Sequence, residues 1–180
     1  MRQEKPIMHG LKVIHEDNHL IAINKPVGAL VHGDETGDET LADAVKQYIK
    51  LRYNKPGEVF LGVIHRLDRP VSGVVIFART SKALVRMNKM LQEKTISKKY
   101  LAIVSIRPEE LEGTLTHHLT KDESKNIVKA YASKKPGSKE ATLKYKQMGE
   151  LDGKVLLEVE PLTGRPHQIR VQLSKINCPI

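Results

Sequence analysis

The stretch "GVIHRLDRPVSGVVIFA", residues 62–78, places charged side chains between two apolar runs. The apolar runs predict two buried strands, and the segment between them holds one carboxylate, Asp68, between Arg66 and Arg69 and shortly after His65. Charged groups in apolar surroundings are costly unless they are paired. The stretch therefore predicts a strand, a charged loop and a second strand, with the rest of the fold built around them.

Two interpretations of Asp68 are open on spacing alone. An Arg-Asp-Arg arrangement at a strand end can be a surface ion-pair cluster of little energetic worth. The apolar neighbours favour the other interpretation, because an ionised, partly desolvated aspartate is a usable nucleophile or base. We therefore expect a basic partner close to Asp68 in space and an apolar setting formed by Val63, Ile64, Leu67 and Val74.

The composition is that of an ordinary globular protein, with 180 residues, 39% hydrophobic and 28% charged. The single cysteine, Cys178, cannot form an internal disulfide, which fits a reducing compartment. The N-terminus lacks the apolar stretch of a signal peptide, and no later run approaches the roughly 18 apolar residues of a membrane span. We expect a single cytoplasmic domain over residues 1–180, monomeric and without membrane association.

The charge is strongly basic and regionally clustered. Lys and Arg number 30 against 21 acids, for a formal charge of +9. Residues 81–100 hold six bases and one acid, and residues 121–146 hold eight lysines and three acids. Clustered bases suit phosphate contacts, although a basic solvated helix face is also common. The charge predicts a polyanionic partner, and nucleic acid is the leading candidate.

The hydrophobic periodicity predicts helices and strands along most of the chain. Residues 11–26 read as a hairpin around a turn at residues 17–18, and Thr40 with Asp43 begins a helix that ends at residues 54–57. A second helix, capped by Thr80 or Ser81, extends to about Lys94 with a basic outer face. Five strands are then expected, in "KYLAIVSI", "GTLTHHL", "IVKAYA", "ATLKYKQ" and "KVLLEVEP".

The last readable segment, "PLTGRPHQIRVQLSK", predicts a helix with Pro166 in its first turn and His167 and Arg170 on a common face. Strands joined by short turns favour antiparallel pairing. The fold class is therefore α+β, with a mixed, mostly antiparallel β-sheet and flanking helices.

The segment "HEDNH", residues 15–19, matches the zinc-protease pattern H-E-x-x-H. Zinc binding by that pattern needs both histidines on one face of a helix, whereas here they flank a predicted hairpin turn. His117 and His118 show no metal-ligand spacing either. We therefore expect no metal site and, since no cofactor motif is found, no cofactor.

Four motifs carry a family resemblance. "HRLDRPVSG" resembles the "HRLD-x-x-TSG" signature of RluA-type RNA pseudouridine synthases, and "LTGRPHQIRVQL" resembles their second signature, "TGR-x-HQ-I/L-R-x-H". "INKPVGALVH" is similar to their N-terminal segment, and "KKYLAIV" to the strand that carries their active-site tyrosine. The motifs occur in the family's order over residues 20–180, which makes the match far more specific than any one of them.

The resemblance implies a fold with a central catalytic cleft and an isomerisation of uridine to pseudouridine in ribosomal or transfer RNA. Asp68 matches the catalytic aspartate, Tyr100 the active-site tyrosine, and Arg170 the arginine that pairs with the aspartate. Arg66 matches the residue that helps to displace the target base. Whether Asp68 acts as nucleophile or base stays open. Contacts to RNA are assigned to His65, Arg66, Arg69, Arg165, His167, Lys82, Arg86 and Lys89.

The chain departs from the family pattern at three places. Val71 replaces the usual threonine of the first signature, and Gln172 replaces the histidine of the second. Relatives also continue beyond the position of Ile180, so we expect a catalytic domain that lacks its C-terminal end and the small N-terminal S4-like domain. The alternative function is a catalytically inactive, basic RNA-binding module. The presence of Asp68, Tyr100 and Arg170 argues against it.

Overall fold

The computed structural model describes residues 10–33, 37–125 and 127–180. The chain forms two compact units that divide between Thr95 and Ile96. The first unit contains β1 Lys12–Glu16, β2 Leu20–Lys25, α1 Leu41–Arg52, β3 Gly62–Val63, β4 Gly73–Ala78 and α2 Ser81–Gln92. The second contains β5 Tyr100–Val104, β6 Glu112–Asp122, β7 Ile127–Tyr131, β8 Lys139–Leu151, β9 Lys154–Pro161 and α3 Gln168–Lys175.

The sheet of the first unit has the order β1-β2-β4-β3, and its strand pairs are antiparallel. The predicted hairpin is confirmed: the Asp17 carboxylate accepts hydrogen bonds from the backbone N–H groups of His19 and Leu20, both at 2.7 Å. These N–H groups, that of Leu20 most strongly, lower the pKa of Asp17 to about 2. The core of the unit lies between this sheet and α1 and consists mainly of Ile21, Ile23, Leu41, Val45, Ile49, Val75 and Phe77.

Both predicted helix starts are confirmed. Thr40 and Asp43 form a capping box on α1, in which each side chain bonds the other's backbone N–H. The Thr80 hydroxyl accepts a hydrogen bond from Ala83 N at 3.1 Å and caps α2. Leu84, Met87 and Leu91 of α2 pack against a small cluster of buried side chains, as the helical spacing predicts.

The sheet of the second unit has the order β5-β9-β8-β6-β7, and its pairs are also antiparallel. All five strands predicted after Lys99 are present. Alternate residues of β8 and β9 face the core with Leu173 of α3, namely Leu143, Tyr145, Val155, Leu157 and Val159. A bulge between Gln147 and Gly149 interrupts the β8–β9 register.

The α+β class with antiparallel strands is confirmed, and two details differ from the expectation. The strands divide between two sheets rather than one mixed sheet, and the parallel pairing found in the described ranges is an isolated bridge between Leu30 and Thr40. Helix α3 begins at Gln168, because His167 adopts a left-handed conformation with φ 49°. Pro166 therefore precedes the helix, and His167 does not share a helical face with Arg170. Within the described residues, no helix has the length and apolar character needed to span a membrane.

Candidate active site

The loop between β3 and β4 carries the residues of the first signature. Asp68 is half-buried, and its backbone carbonyl accepts a hydrogen bond from Val71 N at 3.0 Å, which closes a turn. His65 Nε2 accepts a hydrogen bond from Ile76 N of β4 at 3.1 Å. That bond places the ring proton on Nδ1 and ties the loop to the sheet. His65 thus positions the Asp68 segment.

The apolar setting expected for Asp68 is present only in part. Ile64 is buried, and Val63 and Leu67 are half-buried. Val74 is 50% exposed, so the expectation is wrong for this residue. Side chains alternate along a strand, and because Val75 and Phe77 of β4 face the core, Val74 faces outward.

Lys25 is a fully buried lysine that the sequence analysis did not select. Its ammonium donates three hydrogen bonds to backbone carbonyls: Val71 at 2.6 Å, Pro26 at 3.1 Å and Arg69 at 3.1 Å. All three ammonium protons are thereby used. Burial lowers the pKa of Lys25, and the negative charge of Asp68 acts in the opposite direction. The buried Lys25 ammonium therefore fixes the turn of the first signature and interacts electrostatically with the Asp68 carboxylate.

A second set of bonds joins the same two loops. Gly28 N donates to Arg69 O at 2.9 Å, and Arg69 Nε donates to Gly28 O at 3.1 Å. The Arg69 guanidinium also bridges to Asp38 at 2.9 Å. Gly28 has φ +88° and Gly73 has φ +138°, backbone conformations that residues other than glycine rarely adopt. The two glycines let the "NKPVG" and "HRLDRPVSG" segments turn where these bonds require it.

The second signature is held by Gln168, which is 4% exposed. Its side-chain oxygen accepts hydrogen bonds from the Thr163 hydroxyl at 2.8 Å and from Arg165 N at 3.0 Å. Its amide nitrogen donates to Thr142 O at 3.0 Å. One buried amide thus connects the signature loop to β8, and this residue was also missed by the sequence analysis.

Residues 19–175 match the family model described as RNA pseudouridylate synthase. The chain belongs to this family. The match confirms the resemblance carried by the four motifs, and the described α+β fold with antiparallel strands agrees with the family's solved members.

Named relatives of the chain come from bacteria and animals. The ribosomal large subunit pseudouridine synthase C of Buchnera aphidicola (subsp. Acyrthosiphon pisum) is 35% identical over 94% of this chain and 52% of the relative. The mitochondrial pseudouridylate synthase RPUSD4 of Xenopus tropicalis is 32% identical over 94% and 58%, respectively. The structure of human RNA pseudouridylate synthase domain containing 4 superposes with a TM-score of 0.80 at 25% identity, covering 97% of this chain and 69% of that one. The chain spans about half the length of the curated relatives.

The residues that the resemblance assigns to catalysis belong to different units. Asp68 lies in the first unit with His65, Arg66 and Arg69 on the loop between β3 and β4, and Lys25 ends β2 of the same unit. Tyr100, half-buried at the start of β5, and Arg170, exposed on α3, lie in the second unit with Arg165 and His167. The three bases assigned to RNA binding on α2, Lys82, Arg86 and Lys89, are exposed.

The "HEDNH" segment lies on β1 and the hairpin turn, as predicted, and not on a helix. The Glu16 carboxylate accepts hydrogen bonds from the hydroxyls of Tyr48 and Tyr53 at 3.0 and 2.9 Å and pairs with Arg79 at 3.1 Å. In a zinc protease this carboxylate would be the general base. Here it ties β1 to α1 and β4.

Gln172 occupies the position at which the second signature has histidine, and it is fully buried. Its amide nitrogen lies 3.1 Å from Leu115 O, from Ala141 O and from His117 Nδ1. The amide nitrogen has two protons for these three acceptors, and His117 Nδ1 can accept one of them only when it carries no proton itself. Burial, with the nearby charges of Lys175 and His118, lowers the pKa of His117.

The neutral His117 predicts a loss of stability at acidic pH. Its pKa in the folded state lies below the ordinary value of 6.5, so the unfolded chain binds the proton more readily as the pH falls below that value. We expect the urea midpoint to fall between pH 7 and pH 5, measured by circular dichroism since the chain has no tryptophan. His117→Asn should flatten this decline, and His19→Asn, at an exposed position in the turn between β1 and β2, should retain it. An equal decline in the wild-type and His117→Asn proteins would contradict the prediction.

Proposed function

We propose that this chain carries the catalytic machinery of an enzyme that converts uridine to pseudouridine in ribosomal RNA. The observation that supports it most is the fixed loop of Asp68, held by Lys25 and His65 in a member of the RNA pseudouridylate synthase family. The names of several relatives refer to the large ribosomal subunit, which favours ribosomal over transfer RNA.

The reaction balances without a further reactant. The glycosidic bond between N1 and C1′ breaks, the uracil turns while it is held, and a bond forms between C5 and C1′. The proton at C5 leaves, and N1 gains a proton. Asp68 supplies the negative charge that these reaction steps need, either as the nucleophile or as the base that removes the C5 proton. A single carboxylate suffices because the enzyme retains the uracil, whereas a glycoside hydrolase replaces its leaving group with water.

The other assigned residues have distinct roles in the proposal. Arg170 is assigned the role of the positive charge that pairs with the carboxylate. Tyr100 offers a planar face for the uracil and a hydroxyl for proton transfer. Arg66 fills the space that the extruded nucleotide leaves in the RNA. The surrounding lysine and arginine side chains bind phosphates.

Mapping of pseudouridines in total RNA from cells with and without the gene tests the proposal. We expect at least one pseudouridine of ribosomal RNA to disappear without the gene and to return when the wild-type gene is restored. Restoration with a gene encoding Asp68→Asn should leave the site unmodified. Identical maps with and without the gene would contradict the activity, and a loss confined to transfer RNA would contradict the choice of substrate.

A further inference from the structure

The connection between β7 and β8 carries three lysines that the site described above does not use. We call residues 133–139 the lysine turn, since Lys134, Lys135 and Lys139 are exposed on it. None of the three forms a salt bridge with another residue in the described ranges. The turn therefore presents three uncompensated positive charges.

The backbone of the lysine turn is held in one conformation. Pro136 and Gly137 occupy its two central positions, and Gly137 has φ +71°. Ser138 N donates to Lys135 O at 3.0 Å, and the Ser138 hydroxyl accepts from Lys135 N at 2.9 Å and donates to Lys135 O at 2.6 Å. Because the turn is already ordered, binding a ligand there costs little backbone entropy.

The lysine turn adjoins the second signature. Lys139 is the first residue of β8 and pairs with Leu119 of β6. The next residue, Glu140, accepts a hydrogen bond on its carbonyl from Arg165 Nε at 2.9 Å. The guanidinium of the signature arginine is thus anchored one residue away from Lys139, within the same unit.

Two other lysines of the same sheet lie opposite acids. Lys144 and Lys146 of β8 lie opposite Glu160 and Glu158 of β9. Lys146 also lies 3.9 Å from Glu112, and Glu158 forms a 2.9 Å ion pair with a lysine before β5. These two lysines thus face acids across the sheet, whereas the three of the lysine turn form no ion pair within the described residues.

We propose that the lysine turn binds the sugar-phosphate backbone of the RNA beside the nucleotide engaged by the second signature. The inference rests on the proposed function and adds the surface that holds the flanking strand. Lysine is a compact charge on a flexible stem, suited to phosphates at unspecified sequence, so the turn contributes affinity rather than recognition of a base.

Charge removal on the lysine turn tests the inference against a matched control. The variant Lys134→Gln/Lys135→Gln/Lys139→Gln loses three charges, and so does the control Lys144→Gln/Lys146→Gln/Lys154→Gln on the same sheet. Fluorescence anisotropy with a synthetic RNA stem-loop that has uridines in its loop gives Kd at several salt concentrations. Each phosphate contact contributes roughly 0.7 to 0.9 to the log–log salt slope, so the slope of the lysine-turn variant should fall by about two. The slope of the control should fall by less than about half a unit.

Equal changes in both triple variants, or an unchanged slope in the lysine-turn variant, would overturn the inference. Pseudouridine formation in ribosomal RNA at saturating concentration separates this outcome from failure of the proposed function. We expect the control triple variant, whose lysines belong to no proposed site, to keep the wild-type rate there. If the wild-type chain forms no pseudouridine, the proposed function fails; if it does and the slopes agree, only the surface is wrong.

Discussion

Asp68→Asn should lower the rate of pseudouridine formation by at least about a thousandfold, the scale of loss seen when a nucleophile or base is removed. The amide has the shape of the carboxylate but neither its charge nor its basicity. The turn that carries it depends on backbone bonds to Val71 and on the bonds of Lys25, none of which uses the Asp68 side chain. RNA affinity should therefore stay within about twofold, since phosphate contacts dominate it. Rates on ribosomal RNA and Kd for the stem-loop, measured on one preparation, check both expectations.

Asp152→Asn provides the matched control for this substitution. Asp152 is exposed in the turn between β8 and β9 with φ +52°, a conformation that asparagine tolerates well. This variant should keep the wild-type rate. Substantial turnover by Asp68→Asn would show that the chemistry lies elsewhere, whereas a joint loss of rate and RNA affinity would assign Asp68 a structural role.

Lys25→Met should lower the free energy of unfolding by about 3 kcal/mol, the scale for breaking a buried, charged hydrogen-bond network. Methionine matches the length of the lysine stem but leaves the carbonyls of Pro26, Arg69 and Val71 without their donor. Urea unfolding followed by circular dichroism measures the change. The rate of pseudouridine formation should fall as well in folded protein, because the turn of Asp68 loses its fixed position.

Lys50→Met separates this effect from simple removal of a positive charge. Lys50 is exposed in the last turn of α1, so its replacement should change stability by no more than about 0.5 kcal/mol. Equal effects of the two variants would show that the buried ammonium network does not hold the loop.

The elements that depend on local signals were predicted from sequence. The hairpin follows from two apolar runs around Asp17, and the starts of α1 and α2 follow from Thr40 and Thr80 as caps. Alternation in several segments, with the polar connections between them, located all five strands of the second unit. The family signatures located the loop of Asp68.

The features that were missed depend on which strands pair. Lys25 is buried because β2 pairs with β4 and places it opposite Gly73, beside the first-signature turn. In the sequence it appears only as a lysine that ends an apolar strand. The side-chain amide nitrogens of Gln168 and Gln172 likewise donate to residues of β6 and β8 that lie at least 26 positions away. Periodicity carries no information on such contacts.

Release of the C5 hydrogen tests the central claim most directly, that Asp68 drives isomerisation of uridine. The new bond between C5 and C1′ can form only if that hydrogen leaves, so ribosomal RNA transcribed with uridine tritiated at C5 should release tritium to water when the wild-type chain is added. The account predicts release in step with pseudouridine formed, and none above background with Asp68→Asn. Release of tritium by Asp68→Asn at the wild-type rate, or none from the wild-type chain, would contradict it.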